Sequence, residues 1–348
     1  MSGMRTLTRA CSRTARCTSL VAGLAALALA GPGCGPPDEP EVFTAEFQSG
    51  IEAGVMLSAW SNGDELIFAG GALSASPGVE LGASGNVLRY QNGALCRELV
   101  ADRTIWWIDG RASGEYWVVG EGGLIMHNDG GVWTDESVTT DAILYGIWAD
   151  AEQPIAVGGD PFVSRTGEVW RRENGTWVQL ASDLPGVAFK VWEDWIVGDG
   201  VAWQIDGDQL IERFPPNGEK LLTVRGRGDG EVFAVGGFPI PQMLHWTGDA
   251  WQEIDVPPTC ASSGLNGVWT APGEDVWIGG FFGGVGRYDG ETWDCPETVL
   301  TQEHFHAVWQ HQGEMWWAGG NLLEPGGELA TIGRHGEESI ALAVTDCQ

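Results

Sequence analysis

Basic charge is the scarcest property of these 348 residues: 18 lysines and arginines stand against 48 acids, a formal net charge of −30. Only two of the 18 are lysines, Lys190 and Lys220. A nucleic-acid binder needs a basic footprint on which phosphates shed their counterions, so that class is excluded. No Gly-x-Ser-x-Gly elbow, no phosphate-cradling Gly-Lys-Ser/Thr loop and no calcium-binding EF-hand spacing occurs, which removes three common chemistries. The apolar run at residues 20–30 spans about half of the roughly 20 residues that a helix needs to cross a bilayer.

That run is instead suited to export. Arg5, Arg9, Arg13 and Arg16 precede it, and residues 1–33 hold no acid, the pattern of a secretory signal. Ala28-Leu29-Ala30 offers one cleavage site. Gly33-Cys34 resembles the end of a bacterial lipobox, although Gly31 and Pro32 stand where that motif prefers leucine and a small residue. The lipobox reading is preferred. It makes residues 1–33 the signal, Cys34 the lipidated first mature residue, residues 34–50 a polar tether with a possible closing strand, and residues 51–348 the folded domain. The expected location is the cell envelope, facing periplasm or exterior, with the membrane met only through the lipid anchor; free secretion is the alternative. Loss of four leader arginines leaves 14 basic against 48 acidic groups, a charge that favours solubility outside the cytoplasm.

What the sequence has in abundance is glycine (53) and tryptophan (19). Seven strand-like segments end in glycine, at Gly70, Gly120, Gly158, Gly198, Gly236, Gly279 and Gly319, with intervals of 50, 38, 40, 38, 43 and 40 residues. Upstream of six of them lies an apolar segment with a tryptophan: Trp60, Trp107, Trp148, Trp192, Trp269 and Trp309. Downstream come a third strand, an Asn-Gly or Asp-Gly turn such as Asn174-Gly175 or Asp289-Gly290, and a fourth strand. Those turns supply the positive φ of two-residue hairpins. Period and content predict an all-β chain, a seven-bladed β-propeller of four-stranded antiparallel blades, with residues 41–50 left to pair with an end blade. The tryptophans are read as packing between blades.

Four cysteines remain beyond the leader and Cys34. Cys260 and Cys347 lie 12 and 11 residues past the turn glycines Gly248 and Gly336, and Cys295 and Cys96 lie five and three past Gly290 and Gly93. In a closed ring repeat one follows repeat seven as six follows five. The expected disulfides are therefore Cys260–Cys295 and Cys96–Cys347, the second stapling the ring, in the oxidising setting that export provides.

The sixth repeat, Asp275-Val276-Trp277-Ile278-Gly279 through Arg287-Tyr288-Asp289-Gly290-Glu291-Thr292-Trp293, resembles the propeller repeats of two-component-regulator sensors. It is also similar to those of exported bacterial lipoproteins and of photosystem-assembly and sialidase-like propellers. The matching residues are architectural, so the resemblance implies a fold more firmly than an activity. A sialidase-like site would need paired carboxylates and an arginine cluster, for which Arg225, Arg227 and Arg287 are the candidates. The Asp-box of that family wants one residue between Asp and Gly, and here Asp289 abuts Gly290.

Function is expected on the loops between second and third strands, which differ most among repeats. Repeats one, three, five and seven carry inserts at 71–85, 159–167, 237–242 and 320–327. Phe162, Arg165, Phe238, Phe281, Phe282 and Asn321 are the candidate binding residues on that loop-bearing face, Phe281 and Phe282 coming from the short loop of repeat six. His304 and His306 share one strand face and are weak metal candidates lacking a third ligand; His127 and His245 read as architectural. The leading expectation is a monomeric, non-enzymatic propeller without cofactor that binds a protein or polysaccharide through its loop-bearing face. A sialidase-like hydrolase or lyase is the alternative.

Overall fold

Each glycine-ended segment is the second strand of a blade: Leu66–Gly71, Tyr116–Gly120, Ile155–Gly159, Trp195–Gly198, Val232–Gly236, Val276–Gly280 and Glu314–Gly320. The structure, a computed structural model, describes residues 43–72, 85–216, 218–228, 230–321 and 329–347. The leader, Cys34 and most of the inserts at 71–85 and 320–327 lie outside those residues. The described chain forms seven antiparallel sheets, the propeller expected from the repeat.

The terminal glycines have a steric cause. A Cβ on Gly70, Gly120, Gly158, Gly198, Gly236 or Gly319 would collide with the carbonyl oxygen of Val55, Thr104, Ile143, Val187, Lys220 or His304, at the entry of the first strand. The two backbones approach so closely because the first strand slips register by one residue in every blade. Seven bulges leave Leu57, Trp106, Tyr145, Phe189, Leu222, Asn266 and His306 without a cross-strand partner. Bulges of this kind re-aim a side chain.

First strands line the axis, each against its neighbours, and Phe305–His311 of blade 7 meets Val55–Ser61 of blade 1 to complete the ring. Indoles tie blades 5, 6 and 7 each to the one before it. Trp251 Nε1 donates to the Arg213 carbonyl (2.8 Å), Trp293 to Asp255 (3.0 Å) and Trp317 to Ile278 (3.0 Å). His127 stacks on Trp117 at 4.0 Å and His245 on Phe233 at 4.5 Å, each opposite its partner across two strands.

Both chain ends are braided into the ring. Ala45–Ile51 forms the outermost strand of blade 7, antiparallel to Ala330–His335. Val344–Asp346 adds a fifth, parallel strand to blade 1 beside Ala94–Ala101, a strand the repeat pattern does not contain. Disulfides join Cys96 to Cys347 across that last pairing and Cys260 to Cys295 between blades 5 and 6.

Candidate functional site

Antiparallel order sends the loops between second and third strands, and the links from one blade to the next, to one rim of the ring. The tight hairpin turns go to the other. Turn-rim acids are paired within their blades: Glu115 with Arg111 (2.6 Å), Glu231 with Arg227 (3.0 Å) and Glu314 with Arg334 (3.5 Å).

The loop rim is different. Phe162 (77% exposed), Val163, Phe238, Ile240, Phe282 and Leu329 stand out from its loops, Phe214, Val299 and Leu300 from its links, and Val100 from the loop-side end of the strand Ala94–Ala101, opposite Asn86. Among the described residues the only other exposed large apolar side chains are Val132 and Val178, on outermost strands. Local backbone builds this display. Asp160 accepts N–H groups from Phe162 (2.8 Å), Val163 (3.0 Å) and Ser164 (3.0 Å), which fold the loop and hold its carboxyl near a pKa of about 2. Blades 2 and 6 turn through matching single 3-10 turns, Glu121–Gly123 and Phe281–Gly283. Where blade 2 places Gly122 at φ 58, blade 6 places Phe282 at φ 53, a strained choice for a side chain with a Cβ.

Three candidate residues are brought together. Phe238 meets Phe281 edge to face at 5.2 Å, and Phe281 and Phe282 pack on His304 at 5.3 and 4.7 Å. Phe162 lies across the rim beside a cleft of about 350 Å³. Arg165 closes the Phe162 loop, exposed, at φ 56. Asn321 is half-buried at the start of the blade 7 loop. Of the two metal candidates, His306 has both ring nitrogens engaged, Nδ1 by the Asn266 amide and Nε2 by the Gly320 carbonyl at 3.3 Å. Burial holds it neutral, its pKa pushed down to about 3. The described residues contain no group of three metal-binding side chains.

The axis is filled by its own side chains, leaving a void of about 20 Å³, room for about one water. Lys190 Nζ donates to the Tyr145 carbonyl (2.7 Å) and lies 4.2 Å from the Trp107 ring centroid. Burial pushes its pKa down to about 7. Asp109 accepts the Ala149 N–H (2.7 Å), and burial pushes it up to about 7. The arginines suggested for a sialidase-like site do not converge. Arg225 lies over Trp309 on the axis, whereas Arg227 packs on Phe233 and Arg287 pairs with Asp275 beside Trp277.

The residues that sequence reasoning missed are Trp106, Tyr145 and Phe189. All three are bulge residues near the loop rim, and nothing in the repeat marks them, because the seven bulge positions share no side-chain chemistry.

No family model and no curated protein matches the chain. Solved structures do. YCF48 bound to D1 peptide aligns with a TM-score of 0.59 at 14% identity, covering 84% of this chain and 97% of that one. The WD40 propeller domain of Doa1 gives 0.58 at 10%, covering 84% and 97%. The extracellular domain of a hybrid two-component system from B. thetaiotaomicron gives 0.58 at 11%, covering 82% and 40%. At such identities the likeness is one of fold.

Proposed function

We propose that this chain is an exported, lipid-anchored propeller scaffold that docks a partner protein through its loop rim. The observation that carries the reading is the one-sided apolar surface: ten of the twelve exposed large apolar side chains among the described residues belong to that rim. Concentrated exposed apolar surface on a rigid scaffold is a mark of an interaction site. YCF48, a propeller of similar architecture, has been seen with a bound peptide.

Photo-crosslinking tests the docking role. A benzoyl-phenylalanine at position 238 or 282 should capture one partner, and the same group at Val132 should not. Phe238→Ser together with Phe282→Gly should abolish capture from position 162 while melting at or above the wild-type temperature. Equal capture from both sides of the ring overturns the docking reading. Export is tested separately: Cys34→Ser should move the protein from the membrane fraction to the soluble one and abolish fatty-acid labelling.

A further inference from the structure

Ring closure is covalent without the C-terminal strand. Ala45–Ile51 belongs to blade 7 and Val55–Ser61 to blade 1, with only Glu52, Ala53 and Gly54 between them, so this chain already joins the two blades. Their first strands also pack against each other. Val344–Asp346 and its disulfide are a second link across the same seam. Among the described residues blade 1 alone carries a fifth strand.

That second link is lightly held. Upstream, Leu342 is buried, and the Gln48 side chain clamps its backbone, donating to its carbonyl at 2.9 Å and accepting its N–H. Beyond it Ala343, Thr345, Asp346 and Cys347 are exposed and Val344 is half-buried. Backbone pairing holds these residues: Leu95 N–H donates to the Ala343 carbonyl (2.9 Å) and Cys347 N–H to the Arg97 carbonyl (3.1 Å). Asp346 lies 3.8 Å from Arg97 with its carboxylate in water, where an ion pair contributes little. So short a strand buries too little apolar surface to offset the entropy of ordering it, and the disulfide keeps it in place. The other disulfide is set differently. Cys260 is 1% exposed, clustered with Phe233, Val235 and Met243, and a Cβ on Gly286 would strike its sulfur.

We propose that Cys96–Cys347 is a site of thiol–disulfide exchange, opened by a dithiol, and that its opening frees residues 343–347 and bares the edge of the strand Ala94–Ala101. A thiolate of the dithiol attacks the exposed Cys347 sulfur, the S–S bond breaks, and Cys96 leaves as a thiolate that takes up a proton. The second thiol of the dithiol then displaces Cys347 from the mixed disulfide. The protein gains two thiols, with the electrons and protons that the dithiol gives up as it becomes a disulfide. Access governs the rate of such exchange, so the buried Cys260–Cys295 bond stays closed. Ala45–Ile51 keeps the ring joined, while Leu95 N–H and the Arg97 carbonyl lose their partners. An edge that the chain covers in the oxidised state is then open to pairing.

The test uses the folded, oxidised chain and dithiothreitol without denaturant, quenched at intervals with an alkylating reagent and mapped by mass spectrometry. Cys96 and Cys347 should be labelled at least about tenfold sooner than Cys260 and Cys295. Hydrogen exchange at the Leu95 amide should quicken about tenfold or more once the bond opens, while Ala330–His335 in blade 7 keeps its protection. Cys347→Ser should show the same fast Leu95 exchange without dithiothreitol, and Cys260→Ser with Cys295→Ser should leave it slow. Labelling of both pairs together, or of Cys260 and Cys295 first, overturns the proposal. So does an opened bond with Leu95 still protected, because the strand then holds itself. Loss of protection throughout the ring overturns it as well, since the bond is then a structural staple. The wild-type labelling and exchange decide the matter even where a serine variant fails to fold. None of these outcomes depends on docking at the loop rim or on Cys34.

Discussion

Lys190 and Asp109 both sit on the axis, and burial opposes the charge of each. For Lys190 the unfolded chain holds its proton up to an ordinary value of 10.5 and the folded chain only to about 7. Between those values the unfolded state binds more protons, so stability rises with pH from 7 to 10.5. For Asp109 the folded chain keeps a proton to about 7 that the unfolded chain loses near 3.8. Stability therefore falls as pH climbs through that window. Together the two groups place a dip near neutrality. Urea midpoints across pH should show Lys190→Met removing the alkaline rise and Asp109→Asn the acidic fall. At pH 7, Lys190→Met should stabilise by about 1–3 kcal/mol, since a buried ammonium held by the Tyr145 carbonyl and the Trp107 ring is exchanged for a thioether of similar length. Phe282→Gly should also stabilise, by about 1 kcal/mol, because the left-handed backbone there no longer carries a side chain. Its melting curve against wild type decides this.

Among elements, the second strands were legible in sequence because one steric demand recurs: a backbone that crosses too close for a Cβ. Substitution should reveal it. Gly158→Ala sets a methyl on the Ile143 carbonyl and should cost about 3 kcal/mol or more. At Gly279 the same change meets only side chains, Val308, Phe305 and Trp317, at 3.0–3.2 Å. It should cost less, and paired thermal melts would show the order. The indoles were legible for a similar reason, since a large flat donor suits an inter-sheet face wherever it occurs. The bulges were not. A register slip is a property of two strands together, and Leu57, Trp106, Asn266 and His306 occupy it with unrelated side chains. Hence Phe162 and Phe238 could be picked out from insert position and Phe281 and Phe282 from the loop-bearing face, while Trp106 and Tyr145, which line one cleft with Phe162, could not.

Across the whole molecule, closure depends on two ends meeting adjacent blades. Cys347→Ser removes a link spanning 251 residues and should lower stability by about 3–5 kcal/mol. The shorter link of 35 residues at Cys260 should cost about 2 kcal/mol less. Guanidinium unfolding of the two serine variants compares them directly. The Val344–Asp346 strand lay outside sequence reach because it follows no repeat and pairs in parallel.

The strand Ala45–Ile51 pairs Ala45 with His335 and Ile51 with Ala330, so it enters the ring at the hairpin-turn side and leaves at the loop side. Phe43, just before it, is pinned between blades 6 and 7 against Trp277, Trp317 and His335. The described chain therefore starts on the rim opposite the one that a docking partner would cover.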